Sequence, residues 1–364
     1  MKNKSIFLSL VVVFVLLLSA CTTTTPTSAP ATEAATEEMA ATEEMAATED
    51  MAATEEMAET EAAAEPEPVY DFDPSVPANA DYNIAIVVKN FQSAFWAQHV
   101  DGAEQAAADL GITLTSHAPE KPENIEEQIA ILEDLITKGV DCIALAPTNT
   151  ESIAAGIVKL NDAGIPVVYD NTRGSGGDFL AYVGIDNFTV GKQIGEYVAE
   201  QMGYKGNLLL LEGVVGQSTS DLRSNGMREA LSQYPDIVVE SQPANWSYAE
   251  ASDITTNVLT KWGGELNAVI SAGAGMSEGA AEAIKAYGLA QDDVVVGSFD
   301  VTAEVVEAIR NGDVDFTIDQ QPYWQAYYSI AACVQHLNGL DVPQEIRTPV
   351  AIVTLDNLAE HWTD

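Results

Sequence analysis

The sequence predicts an α/β protein built from two doubly wound parallel sheets, on three observations. Stretches of strand and helix character alternate from residue 83 to residue 353. The first strand-like run, Asn83–Val88, is continuously apolar from Ile84 on and rich in β-branched residues, rather than apolar at every second position, as in a strand covered on both faces. About ten strand–helix units follow one another, more than one open sheet holds comfortably, so two lobes with a cleft between them are expected.

Asn83-Ile-Ala-Ile-Val-Val88 opens the series as a strand. Ser93 to Leu110 has helical spacing (Phe95, Val100, Ala103, Ala107, Leu110) and Gly111 stops it. Ile112–Thr115 reads as a strand and Asn124–Lys138 as a helix with Ile125, Ile129, Leu132, Leu135 and Ile136 inward. Asp141–Leu145, Thr150–Ala163 and Pro166–Tyr169 continue as strand, helix and strand. The same rhythm predicts strands at Leu180–Gly184, Asn207–Leu211, Ile237–Glu240, Ala268–Ser271, Val294–Ser298, Phe316–Ile318 and Pro349–Val353. The helices between them fall at Val190–Met202, Ser220–Gln233, Tyr248–Lys261, Met276–Tyr287, Thr302–Arg310 and Gln325–Leu337.

The N-terminal residues differ in kind. Lys2 and Lys4 precede a 13-residue apolar run, Ile6–Leu18, too short to span a bilayer and suited to a secretory signal. Leu18-Ser19-Ala20-Cys21 follows and resembles the bacterial lipobox, in which the Cys is acylated and becomes the mature N-terminus. Residues 1–20 are therefore expected to be a lipoprotein signal peptide and Cys21 a lipid anchor. Residues 21–80 are expected to form a disordered acidic tether. The hexad Ala35-Thr-Glu-Glu-Met-Ala40 recurs from Ala41, Ala47 and Ala53. A six-residue period turns a helix by about 240° per repeat, so the Met side chains form no stripe and no coiled coil. As a flexible chain the segment spans very roughly 45 Å.

The chain carries 15 Lys and Arg against 56 Asp and Glu, a net charge of −41. Residues 81–364 keep 41 acids against 13 bases, or −28. Such a surface repels phosphate backbones and anionic head groups, which excludes nucleic acid and leaves the lipid as the route to the membrane.

Catalytic signatures are missing. The four His show no paired ligand spacing, and no phosphate loop or nucleophile elbow occurs. Gly273-Ala-Gly275-Met-Ser-Glu-Gly279 follows a strand but has the wrong spacing for a dinucleotide loop. No cofactor, no metal and no enzymatic activity are expected. Cys142 and Cys333 sit mid-strand and mid-helix among apolar residues and read as small buried hydrophobes, with a disulfide as the alternative.

Ligands of open α/β sheets bind beyond the C-terminal strand ends. Those positions hold Lys89–Trp96, Asp170–Arg173, Gly213–Ser218 with Arg223, Pro243–Trp246, Phe299-Asp300 and Asp319–Trp324. Carboxylates, amides and Arg pair with hydroxyls, and aromatic faces cover the C–H face of a sugar ring, so the set suits a neutral polyhydroxyl ligand. Each residue also has a plainer explanation. Phe95 and Trp96 could be core, Asp170 or Asp300 an N-cap, and Arg223 a solvated helix residue.

Several segments, Ile84–Trp96 with Gly102–Ala107, Ala144–Thr148, Gly164–Asp170, Gly184–Asn187, Val296–Asp300 and Asp319–Pro322, resemble in order and spacing the ribose-binding-protein-like family of periplasmic binding proteins. The resemblance covers about residues 81–355. It implies the type I periplasmic binding protein fold, with two lobes joined by three hinge strands. Residues 81–186 plus 321–349 form one lobe, and 187–320 plus 350–364 the other. The residues it implies as ligand contacts are Ser93, Phe95, Trp96, Asp170, Asn171, Arg223, Trp246, Asp300, Gln320 and, near the hinge, Tyr323. Gly273 and Ala274 stand where the family often has Asn and Asp, which points away from ribose and toward another pentose or hexose, a polyol such as inositol, or a nucleoside. The implied role is a monomeric receptor that closes on a sugar and delivers it to an ABC permease and its ATPase. A lipid-anchored sensor for a signalling receptor has the same fold and cleft. A surface glycosidase would need two carboxylates about 5–10 Å apart, with Asp170 and Asp300 as candidates.

Overall fold

A computed structural model of the chain describes residues 72–290 and 293–362. The signal segment, Cys21 and the repeats lie outside the described residues.

Six strands form a fully parallel first sheet: β1 (Asn83–Val87), β2 (Thr113–His117), β3 (Cys142–Leu145), β4 (Val167–Asp170), β5 (Ala181–Gly184) and β11 (Glu345–Arg347). Their order is β11-β5-β4-β3-β1-β2. Alternate residues of β1 feed opposite faces. Ile84 and Ile86 pack under α1 (Ala94–Leu110) and α9 (Pro322–Leu337), while Ala85 and Val87 pack under α2 (Ile125–Lys138) and α3 (Ala154–Asp162). The second sheet contains β6 (Gly206–Glu212), β7 (Ile237–Pro243), β8 (Ala268–Ser271), β9 (Val295–Gly297), β10 (Phe316–Asp319) and β12 (Ala351–Thr354) in the order β12-β10-β9-β8-β6-β7. Only β12 runs antiparallel, against β10. One face is covered by α4 (Asn187–Gln201) and α5 (Ser218–Leu231), the other by α6 (Tyr248–Lys261), α7 (Ala274–Tyr287) and α8 (Ala303–Asn311). A last turn, α10 (Leu358–His361), caps the second sheet. The chain passes between the sheets three times: after β5, after β10 and between β11 and β12. These are two α/β lobes of the expected type.

Several elements depart from expectation. Cys142 and Cys333 are joined in a disulfide, with Cα atoms 5.9 Å apart, and are not free core thiols. They lie 191 residues apart, and only the packing of α9 back across β3 brings them together. Residues 72–80, expected in the tether, lie against α9 and the end of α1: Phe72 packs edge-on against Tyr328, Asn338 Nδ2 donates to the Pro77 carbonyl at 2.9 Å, and Ala78 N donates to the Leu110 carbonyl at 2.9 Å. Helix starts shift toward their caps. The α4 helix begins at Asn187 because the Asp186 carboxylate accepts from the backbone N–H groups of Phe188 and Thr189. The α9 helix begins at Pro322, where the missing proline donor costs nothing. Strand β11 carries no apolar run, since it is a three-residue sheet edge, and the sequence pattern did not mark it.

Candidate functional site

The loop after β1 is folded onto Asn90, whose Oδ1 accepts from Gln92 N at 3.1 Å and Ser93 N at 2.9 Å. That turn starts α1 at Ala94 and places Phe95 and Trp96 on its first turn, edge to face with centroids 4.9 Å apart. Across the cleft, Arg223 projects from α5. Its Nε donates to Asn187 Oδ1 at 2.7 Å, Nη1 to the Ala272 carbonyl at 2.9 Å and Nη2 to Gln320 Oε1 at 3.1 Å, while the guanidinium lies 3.7 Å from the Phe299 ring centroid. Gln320 sits at the second crossing between the lobes and ties the polar wall together. Its Oε1 also accepts from Asn171 Nδ2 at 3.2 Å, and its Nε2 donates to Asp300 Oδ1.

These groups enclose a cleft of about 600 Å³. Of the ten expected ligand contacts, Ser93, Phe95, Trp96, Asn171, Arg223, Trp246 and Asp300 line it together. Three do not. Asp170 is fully buried behind the aromatic pair, its Oδ1 3.6 Å from His99 Nε2 and 3.3 Å from the Ser329 hydroxyl. His99 in turn packs against Phe95 and Trp96 at 4.7 and 4.8 Å. Gln320 lies behind the cleft as the hub described above. Tyr323 faces a separate cavity of about 270 Å³ with Trp324, Asp319 and His361.

Backbone strain concentrates here. Glu123, Asn171, Asn245, Trp246 and Asp300 all have positive φ and all line the cleft, out of seven such non-glycine residues among those described. The indole of Trp246 lies over two glycines. A Cβ on Gly213 would come within 2.0 Å of the ring, and one on Gly273 within 3.0 Å. Gly213 and Gly273 thus make room for this tryptophan.

Burial dominates the electrostatics. It pushes the Asp300 carboxyl up to about 6 and the Arg223 guanidinium down to about 10, and their mutual attraction opposes both shifts. Both remain charged at neutral pH. Behind the aromatic pair, burial drives Asp170 up to about 8 and His99 down to about 3, each toward its neutral form.

Several residues in or beside the cleft were not among the expected ligand contacts. Lys89, 3 % exposed, donates to Gln217 Oε1 at 2.7 Å, and Trp246 Nε1 donates to the same oxygen at 3.0 Å. Gln217 Nε2 donates to the Thr148 carbonyl at 2.8 Å and Glu123 Oε2 at 2.5 Å. Lys89 and Gln217 stood among the strand-end residues, and nothing in their spacing marked them as partners. Glu123 comes from the long β2–α2 loop, whose path the sequence does not fix. Thr219, Glu278 and Glu304 also line the cleft. Aromatic planes, a buried Arg, carboxylates and amides on two facing walls can hold a polyhydroxyl molecule, and the described cleft shows no paired nucleophile and base.

The model of the periplasmic binding protein domain matches residues 84–341. The chain belongs to that family. Its members bind substrates and are not enzymes. Among curated relatives, the ribose import binding protein of Haemophilus influenzae is 27 % identical over 280 residues, covering 77 % of this chain and 94 % of that protein. A solute-binding protein from Actinobacillus succinogenes, solved with bound D-allose, is 29 % identical with a TM-score of 0.72, covering 77 % of this chain and 99 % of that one. Another from Bacillus halodurans, solved with myo-inositol, is 28 % identical with a TM-score of 0.71, covering 77 % and 96 %. No helix among the described residues is long and apolar enough to cross a membrane.

Proposed function

We propose that this protein is an extracytoplasmic lipoprotein that captures a sugar or sugar-like polyol by closing its two lobes and delivers it to an ABC importer. The observation that carries the proposal is the cleft itself. Phe95 and Trp96 on one wall face Arg223, Trp246 and Asp300 on the other, and Asn171 and Gln320 link the walls at the crossings. Aromatic faces take the C–H side of a pyranose or polyol, and charge-assisted donors and acceptors take its hydroxyls. Ser93 adds a further hydroxyl. Asp170 and Gln320 act from behind, Asp170 by supporting the aromatic pair through His99 and Gln320 by fixing three wall residues.

Lobe closure follows from ligand contacts on both sides, since a bridging ligand binds the closed form better. The lobes comprise residues 81–186 plus 321–349 and 187–320 plus 350–364. The permease and its ATPase are the partners, and the receptor acts as a monomer. Cys21 carries the lipid and residues 21–71 form the tether that lifts the lobes from the membrane. The Cys142–Cys333 disulfide supports an oxidising, extracytoplasmic location.

The test is thermal unfolding of the purified chain against pentoses, hexoses, polyols and nucleosides. One sugar or polyol should raise the midpoint, by an amount corresponding to about 2.7 kcal/mol at a hundred times its dissociation constant. The shift should vanish in Arg223→Ala. A nucleoside as the only stabiliser, or no stabiliser at all, would refute the assignment.

A further inference from the structure

Helix α5 carries three hydroxyls, on Thr219, Ser220 and Ser224, that are buried and have no hydrogen-bond partner. Of the three, only Thr219 lines the cleft. It is 2 % exposed, so bulk water does not satisfy it. A helical Thr commonly bonds the carbonyl one turn back, but Thr219 is the second residue of α5 and the preceding turn lies outside the helix. Its neighbours on either side are committed elsewhere: Gln217 bridges to Lys89, and Ser218 Oγ donates to the Arg173 carbonyl at 3.1 Å. One turn on, at the i+4 position, Arg223 lines the same cleft. A buried hydroxyl left unpaired opposes folding, and one that borders a cleft, unlike one enclosed by the core, can be completed by a bound molecule.

We propose that the Thr219 hydroxyl is a ligand-binding and specificity-determining group, pairing with one hydroxyl or ring oxygen of the bound polyol beside the Arg223 guanidinium. The inference rests on the polyhydroxyl ligand proposed above. A hydroxyl both donates and accepts, which suits a sugar hydroxyl better than a fixed-charge partner does. A site that leaves this group unpaired rejects the analogue lacking the matching oxygen. Ser220 and Ser224 are equally unpaired but do not reach the cleft, so they provide an internal contrast.

The test uses the full chain with Thr219→Val, Thr219→Ser and Ser224→Ala. Each is titrated calorimetrically with the stabilising compound found in the panel and with its complete mono-deoxy series. Thr219→Val, which keeps the shape and removes the hydroxyl, should weaken binding about ten- to a hundredfold, and Thr219→Ser should stay within about threefold of the parent. Ser224→Ala should leave affinity unchanged. One deoxy analogue should bind the parent and Thr219→Val equally, which identifies the oxygen being read. The unliganded melting midpoint of Thr219→Val should stay the same or rise, because an unsatisfied group has been removed. Parent-like affinity in Thr219→Val, or an equal loss with every deoxy analogue, overturns the inference and leaves the polyol reading standing. If no panel member binds the parent chain, both fall.

Discussion

Lys89 Nζ donates to Gln217 Oε1 at 2.7 Å, joining the end of β1 in one lobe to the N-cap of α5 in the other. The contact is part of a set that crosses the cleft. Thr150 N donates to the Gly216 carbonyl at 2.9 Å, Ser218 N to Thr150 Oγ1 at 2.8 Å, and Gln98 Nε2 to the Val301 carbonyl at 2.9 Å. The two sides of the cleft are therefore joined by the protein's own groups.

Gln217→Ala removes the acceptor of a buried ammonium, and hydrogen bonds to charged groups contribute about 1.5–3 kcal/mol. The Lys89 contact is lost only where the lobes meet, whereas the Trp246 bond to the same oxygen is lost within the second lobe and also loosens that indole. Affinity for the cleft's ligand should drop roughly tenfold or more, read by calorimetry. Unchanged affinity would show that these contacts do not support ligand binding.

Gly213→Ala should be more damaging than its size suggests. The new Cβ falls within 2.0 Å of the Trp246 indole, which must leave its seat. Ligand affinity should fall by at least about tenfold, the cost of displacing one well-packed aromatic contact. Gly273→Ala, at 3.0 Å, should have the milder effect. Equal, small effects in both would show that the indole is not fixed by these glycines.

Asp170 and His99 set opposite pH dependences. Burial raises Asp170 to about 8, so its folded form binds more protons than the unfolded chain above the ordinary value near 4, and stability falls as pH rises across that interval. Burial lowers His99 to about 3, so stability rises with pH from about 3 to the ordinary value near 6.5. The two oppose each other between about pH 4 and 6.5. From about 6.5 to 8 only Asp170 of this pair acts, and its contribution should lower the melting midpoint. In Asp170→Asn that decline should flatten; an identical slope in the variant would contradict the pairing.

Reduction, or the double variant Cys142→Ala/Cys333→Ala, should destabilise the first lobe. The bridge closes a loop of 191 residues, for which a loss of about 2–5 kcal/mol is expected. Denaturant unfolding with and without reductant measures it, and coincident curves would show that the bridge adds nothing to stability.

The continuous apolar runs made the two sheets legible, because burial on both faces leaves no polar alternation. The disulfide was not legible, since its halves lie on elements that meet only through tertiary packing. Asp170 shows a subtler limit. Its position at the end of β4 suggests the cleft, but the pleat turns its side chain to the α1 and α9 layer, toward His99 and Ser329. The next residue, Asn171, with φ of 62°, lines the cleft instead. Tyr323 illustrates the same rule on a helix, where the first turn of α9 points it into a separate cavity. Glu123 and Thr219 gave no pattern, because one depends on a loop's path and the other on which face of a helix's first turn meets the cleft.

The most direct test of the central claim is a calorimetric titration of the purified chain with the stabilising sugar or polyol, beside Arg223→Ala. The structure predicts a single site at one ligand per chain, with binding lost or weakened at least about tenfold when the guanidinium is removed. No heat of binding from any sugar or polyol, or undiminished affinity in Arg223→Ala, would contradict a sugar receptor built on this cleft.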